Sequence, residues 1–393
     1  MNRRFLPLLL LAALPVTAAP EVKEITPELR TKYHLPDAYR KIAFSGVFPV
    51  VGSDKPRDES LAEAAWLLDH TLGPRDDIRA ALVRNRVRLA IMAVSEYTTD
   101  VPEHATLQPS TYWNVRARGL GASADRPAVS CGEENLIGCP GDPYWEENIL
   151  IHEFAHAVHL TALHEVDPGF NDRLEKIYAD AMAAGKWKGK YASTNPAEYW
   201  AEGVQSWFNC NRENDAEHNH VNTRAELVAY DPDLAALVGS VYTDHDWQYT
   251  PAKTRMDLPH LATLRTTPPP AFAWPAALLA DYDSLTKPDR KATPGTKKWP
   301  RAELTPEKSG ASKPGGKPCS FLLLNDRRDP VIVSWVDFAG VPVMPSQIRP
   351  GFFDLRDTFV GHVWEVTRLD GTLIGSFRTR EGFAKIEVSD PAP

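Results

Sequence analysis

The sequence predicts an α+β chain: a mixed sheet carrying buried helices, followed after a break by a small all-β sandwich. Three observations predict it. The chain has 393 residues, 43% hydrophobic and 24% charged, a globular composition long enough for two domains. Up to about residue 286, short apolar runs alternate with stretches of helical spacing. In residues 318–393, runs of Val, Ile, Leu, Phe and Trp are broken by Asp-Pro, Pro-Gly and Asp-Gly, the punctuation of strands joined by tight turns.

The first element is not part of the fold. Arg3 and Arg4 precede an apolar run, Phe5 to Val16, and Val16-Thr17-Ala18 supplies small residues at a cleavage site. Residues 1–18 therefore read as an export signal cut after Ala18. The run is too short to span a bilayer, so the mature chain is expected to be secreted or periplasmic, without a membrane span. A net charge of −8 argues against a general nucleic-acid binder. In an oxidising compartment Cys131, Cys139, Cys210 and Cys319 are expected to pair. Cys131–Cys139 is the favoured disulfide, with Cys210 joined to Cys319 or both free. A monomer is expected.

Between residues 19 and 286, Val47 to Val51 reads as a short strand. Residues 60–72 read as a helix capped by Ser60, and residues 87–94 as a buried strand. Asp142 as cap, Pro143 at the first helical position, and Glu146 and Glu147 near the positive dipole end predict a helix running through "NILIHEFAHAVHL", residues 148–160. Further helices are expected over 171–184, 196–208 and 232–241. Residues 287–317, dense in Pro, Gly, Lys and Ser, read as an extended solvated linker.

The helix over 148–160 raises a chemical question, because it sets three polar groups in an otherwise apolar run. Residues i and i+4 share one helix face, so His152 and His156 offer two imidazoles to one ion, with Glu153 beside them to handle a water proton. Zinc in such a site needs a third protein ligand. Glu198 and Glu202 stand four apart on the later helix, which Asn195 and Pro196 begin. Glu198 is assigned to the metal. Glu202 is placed behind it, accepting a hydrogen bond from the outer nitrogen of a ligating histidine, His152 by preference. His159 and His164 read as surface or packing residues, and His218 and His220 are left unassigned.

"HEFAH" followed by "YASTNPAEYWAE" resembles the gluzincin metallopeptidases, and within them the anthrax-lethal-factor-like catalytic domain. Tyr191 stands seven residues before Glu198, and Glu198-Tyr199-Trp200-Ala201-Glu202 matches that family's aromatic helix. The resemblance covers residues 148–208. It implies a zincin-like fold, a zinc cofactor, a protein or peptide substrate, and a Tyr191 hydroxyl that donates to the oxyanion. Two alternatives stay open: a non-catalytic binding or adhesion protein with a vestigial peptidase domain, and a zinc amidase acting on a non-peptide bond.

The segment "SWVDFAGVPVMP…IRPGFFDLRDTFVGHVWEV" resembles the β-domain of the von Hippel–Lindau tumour suppressor, a sandwich that captures hydroxyproline-containing peptides. By motif position Trp335, His362 and Trp364 match its pocket, Thr358 replaces a serine, and Pro345 stands where a tyrosine would be. The resemblance implies a recognition module for proline- or hydroxyproline-rich protein. Core packing of the tryptophans is the competing reading.

Overall fold

The computed structural model describes residues 19–242 and 246–390. The expected export signal, residues 1–18, lies outside the described residues. The N-terminal unit contains a six-stranded sheet in the order β1-β2-β3-β4-β6-β5. Its strands are β1 (Lys23–Glu24), β2 (Lys41–Ser45), β3 (Phe48–Gly52), β4 (Arg88–Met92), β5 (Gly119–Leu120) and β6 (Ala128–Gly132). Strands β3, β4 and β6 run parallel, while β5 closes one edge antiparallel to β6.

Helices surround this sheet: α1 (Pro27–Tyr33), α2 (Asp58–Leu72), α3 (Asp76–Arg84), α4 (Ser110–Arg116), α5 (Glu133–Ile137) and α6 (Ile149–Thr161). Then follow α7 (Leu163–Val166), α8 (Phe170–Ala183), α9 (Pro196–Trp207), α10 (Arg224–Tyr230), α11 (Pro232–Tyr242) and α12 (Ala276–Thr286). Strand periodicity sorts the side chains. Val50, Leu89 and Ile91 join α2, α6 and α9 in the main core. Their neighbours Val51, Ala90 and Met92 face a smaller cluster with Tyr33 and Leu35. No helix among the described residues is long and apolar enough to cross a membrane.

Two helix starts differ from the sequence reading. Ser60 does not cap α2, because its hydroxyl donates to Arg57 O at 2.6 Å. The helix start is tied down from outside, by Glu133 accepting the Arg57 N–H at 2.8 Å. Asp142 does not begin α6 either, because its carboxylate accepts from Tyr144 N two residues on, closing a local turn. Asn148 is the actual cap, accepting from Ile151 N at 3.0 Å.

The C-terminal unit is a sandwich of two sheets, in the orders β10-β7-β13 and β12-β11-β8-β9. Its strands are β7 (Pro318–Asp326), β8 (Val331–Val336), β9 (Pro342–Ile348), β10 (Phe353–Phe359), β11 (Val363–Thr367), β12 (Leu373–Arg378) and β13 (Phe383–Ser389). Phe321, Leu323, Val333, Val366, Phe377 and Ile386 fill the space between the sheets.

Residues 287–317 are not an extended spacer. Trp299 packs on Phe383 at 5.7 Å, and Ala302 and Leu304 cover the sandwich core. Backbone bridges join Arg301 to Lys385 and Thr305 to Ser376. Lys385, fully buried, donates to Ser284 O and Lys287 O at 2.7 Å each and to Asp289 at 2.9 Å. A few apolar anchors and one buried ammonium suffice to lay a polar segment along a sheet.

The disulfide expectation is also corrected, for all four cysteines are buried and unpaired. Cys131 lies within β6 and Cys139 beyond α5, so a strand end and a helix fill the spacing that suggested a short loop.

Candidate active site

Two capped helices build the site. Helix α6 is apolar nearly all round and packs into the core, presenting His152, Glu153 and His156 at the floor of a cleft of about 770 Å³. Helix α9 starts where Asn195 accepts from Glu198 N at 2.9 Å with Pro196 in its first turn, which fixes Glu198 at the helix entrance. Trp200 locks the two helices together by donating its indole N–H to Ala155 O at 3.0 Å.

Three donor atoms converge. His152 Nε2 and His156 Nε2 lie 3.1 Å apart, and each is 3.2 Å from Glu198 Oε2. Ligands at about 2.0–2.1 Å from a tetrahedral zinc stand about 3.3–3.4 Å from one another, so the triad has the right span. No other group of three or more His, Cys, Asp or Glu donors converges in this way among the described residues.

The imidazole chemistry fits as well. Gln205 Nε2 donates to Glu147 Oε2 at 2.9 Å and to Asn148 O at 3.3 Å, which turns its Oε1 toward His152 Nδ1 at 2.8 Å. Nδ1 must then carry the proton, leaving the Nε2 lone pair free to face the triad. The residues present therefore fit a zinc ion.

This geometry corrects one expectation. The acceptor for His152 is Gln205, while Glu202 Oε1 lies 3.6 Å from Nδ1 without a hydrogen bond of its own. Glu202 turns its other oxygen to Asn211 at 3.0 Å and to His218 at 3.4 Å. His218 is buried and held from behind by both oxygens of Asp215 at 3.0 Å. The same loop accepts the Tyr191 N–H through Glu217 O at 2.7 Å. His159 is a packing residue bonded to Asn171, His164 is solvent-facing, and His220 rests on Tyr230.

Tyr191 lines the cleft, its ring 6.3 Å from that of His152. Burial, then the charge of Glu198, push its phenol far up, so it remains a hydrogen-bond donor across the working pH range. Burial also raises the Glu153 carboxyl, against the pull of His152 and His156. Glu198 goes the other way: burial opposes its charge, but the two imidazoles beside it hold its carboxyl well below the usual carboxylate range.

Strand β5 forms the wall above Glu153 and His156. A Cβ on Gly119 would stand 2.9 Å from Glu153 Cγ, and one on Gly121 would stand 2.7 Å from His156 Cβ. Side chains at these positions would lift the edge strand off α6.

Sequence reasoning missed Gln205, His218, Asp215, Arg116 and the Gly-Leu-Gly edge. Only Gln205 carried a local signal, since Glu198, Glu202 and Gln205 follow i, i+4, i+7 on one helix face.

In the C-terminal unit Trp335, Thr358 and His362 come together. Thr358 Oγ1 lies 3.0 Å from His362 Nδ1, and the Trp335 and His362 rings are 5.1 Å apart. Exposed Phe338 and Phe359 flank them at 5.7 and 5.4 Å from His362. Trp364 differs: it is 5% exposed and packs on Phe321 in the sandwich core.

No protein-family model matches the sequence, and no curated protein matches it. Among solved structures a Pro-Pro endopeptidase (PPEP-2) from Paenibacillus alvei aligns over 49% of this chain and 96% of its own. The identity is 19% and the TM-score 0.28, too loose a likeness to carry an argument about this chain.

Proposed function

We propose that the chain is an exported zinc metallopeptidase, with His152, His156 and Glu198 holding the metal. The observation that carries the reading is the convergence of three ligand atoms, 3.1–3.2 Å apart, over Glu153 and opposite Tyr191. Bound zinc supplies Lewis-acid chemistry. Everything else falls to the chain. Glu153, its carboxyl raised by burial, takes a proton from the attacking water and returns it to the leaving amine. Tyr191 donates to the carbonyl oxygen as it gains charge. Gln205 holds His152 in the ligating tautomer. An extended peptide adds to the free edge of β5, which supports a peptide over a small amide substrate.

The test is Glu153→Gln. The variant should bind one zinc per chain and lose turnover on a peptide library that the wild type cleaves in a chelator-sensitive manner. Turnover surviving in the variant removes Glu153 from its role, and an absence of zinc from the wild type removes the whole reading.

A second reading concerns the C-terminal unit. The buried Trp335 indole N–H has no partner, and its ring meets Phe338 and His362, an arrangement suited to a proline-rich peptide with a hydrogen-bond acceptor. Titration with matched hydroxyproline and proline peptides checks it. Negligible affinity for both disposes of it.

A further inference from the structure

The active-site cleft is strongly acidic. Glu147, Glu153, Glu198, Glu202 and Glu217 line it. Of its two arginines, Arg212 is neutralised by Glu147 at 3.0 Å and Glu217 at 2.9 Å. Arg116 is not neutralised. It is exposed, lines the cleft and forms no ion pair with any described carboxylate. A guanidinium carries five donors, so most of its capacity is unused.

The surroundings hold this group in place. Arg116 ends α4, whose backbone is clamped on both sides: Asn114 O accepts the Trp274 indole at 3.0 Å, and Arg116 O accepts the Tyr144 hydroxyl at 3.3 Å. It lines the same cleft as Tyr191, Glu153 and the three converging donors. Tyr112, Tyr144, Trp113 and Trp274 line the same cleft with aromatic surface. That low-dielectric wall strengthens any charge-assisted bond formed there.

Position along the cleft fixes which part of a substrate it meets. Arg116 precedes β5 by three residues, at the strand's starting end. A peptide added antiparallel to β5, the more stable pairing, brings its C-terminal side to that end. We infer that Arg116 is a specificity residue that binds a carboxylate on the C-terminal side of the scissile bond, either an acidic side chain or the chain terminus. This rests on the peptidase reading and names its substrate class.

Binding to the zinc-loaded Glu153→Gln protein, followed by fluorescence anisotropy, tests it without turnover. The probes are four labelled peptide pools, random but free of Asp and Glu before a last residue of Glu or Gln, each as free acid or amide. Pools bearing a carboxylate should bind about 10-fold or more tightly than the Gln-amide pool, as a charge-assisted bidentate contact implies. Adding Arg116→Gln should erase that gap, while Arg116→Lys, keeping the charge, should retain part of it. A tight Glu-amide pool assigns the side chain as ligand, and a tight Gln-acid pool assigns the terminus. A Gln-amide pool that binds equally well, a gap that survives Arg116→Gln, or no binding by any pool overturns the inference. Failure of the wild type to cleave pools that it binds sinks the peptidase reading alone, leaving the carboxylate preference standing.

Discussion

Two imidazoles four residues apart ligate one ion only if both present a free lone pair, and a side chain with two tautomers does not ensure that unaided. In this chain Gln205 makes the choice for His152, because its own amide is oriented by Glu147 and Asn148. Gln205→Leu should therefore weaken zinc binding about 10–100-fold, read by competition against a chelator. Unchanged affinity would assign the tautomer to some other group. The residues that made the site legible share a property: their relation is local. His152, Glu153 and His156 are placed by helical spacing, and Glu198 by the Asn195-Pro196 start of α9. Gln205 lay on the same helical stripe, but an amide does not announce chemistry as a carboxylate does. His218, held by Asp215, and Arg116 reach the cleft through loop and helix placement that no periodicity encodes. For Glu202 the expected partner was wrong, since 3.6 Å separates it from the nitrogen it was to serve.

Elements with strong internal signals were legible and those defined by their neighbours were not. The apolar runs of β3 and β4 and the capped start of α9 stand where local chemistry puts them. The edge strand β5 has two residues, one of them glycine, and exists because α6 and β6 leave a slot for it. A buried turn behind the sheet, Pro102–His104, shows how such placement governs pH response. His104 is 1% exposed, and its Nε2 lies 3.1 Å from Ala128 O on β6. Nδ1 has no partner, so protonation would bury an unsatisfied N–H. Burial lowers its pKa to about 4, from 6.5. Between those values the folded chain binds fewer protons than the unfolded one, so stability is lost as pH falls through 6.5 toward 4, by about 3 kcal/mol. Asp142, raised by burial to about 6, acts oppositely in an overlapping window, so the total slope does not isolate His104. The comparison does. His104→Asn should lose less stability than wild type between pH 7 and pH 4.5, by on the order of 2–3 kcal/mol in denaturant titrations. Identical slopes would refute the assignment.

At the scale of the molecule, the question is whether the sandwich is merely carried by the N-terminal unit or is part of it. Composition suggested a tether, because residues 287–317 lack the aliphatic density that usually orders a segment. It did not reveal that Trp299, Ala302 and Leu304 would be enough, nor that Lys385 would bind the end of α12 from below. The result is a shared interface. Leu285 of α12 packs with Leu322 and Leu324 of β7, and Tyr112 of α4 stacks on Tyr282 at 6.1 Å and meets Phe353 of β10 edge-on at 6.0 Å. Helix α4 thus has one face on the sandwich while its last turn presents Arg116 to the cleft. A tethered module could be removed or loosened without changing cleavage of a short peptide, but a buttress could not. Phe353→Ala deletes one ring from the buttress and touches nothing in the metal site. It should lower stability by about 1–3 kcal/mol and raise KM for a short peptide by about 10-fold, with zinc content unchanged. If KM and kcat on that peptide match wild type while the melting temperature falls, the sandwich supports the fold alone, and α4 is held for catalysis by the N-terminal unit.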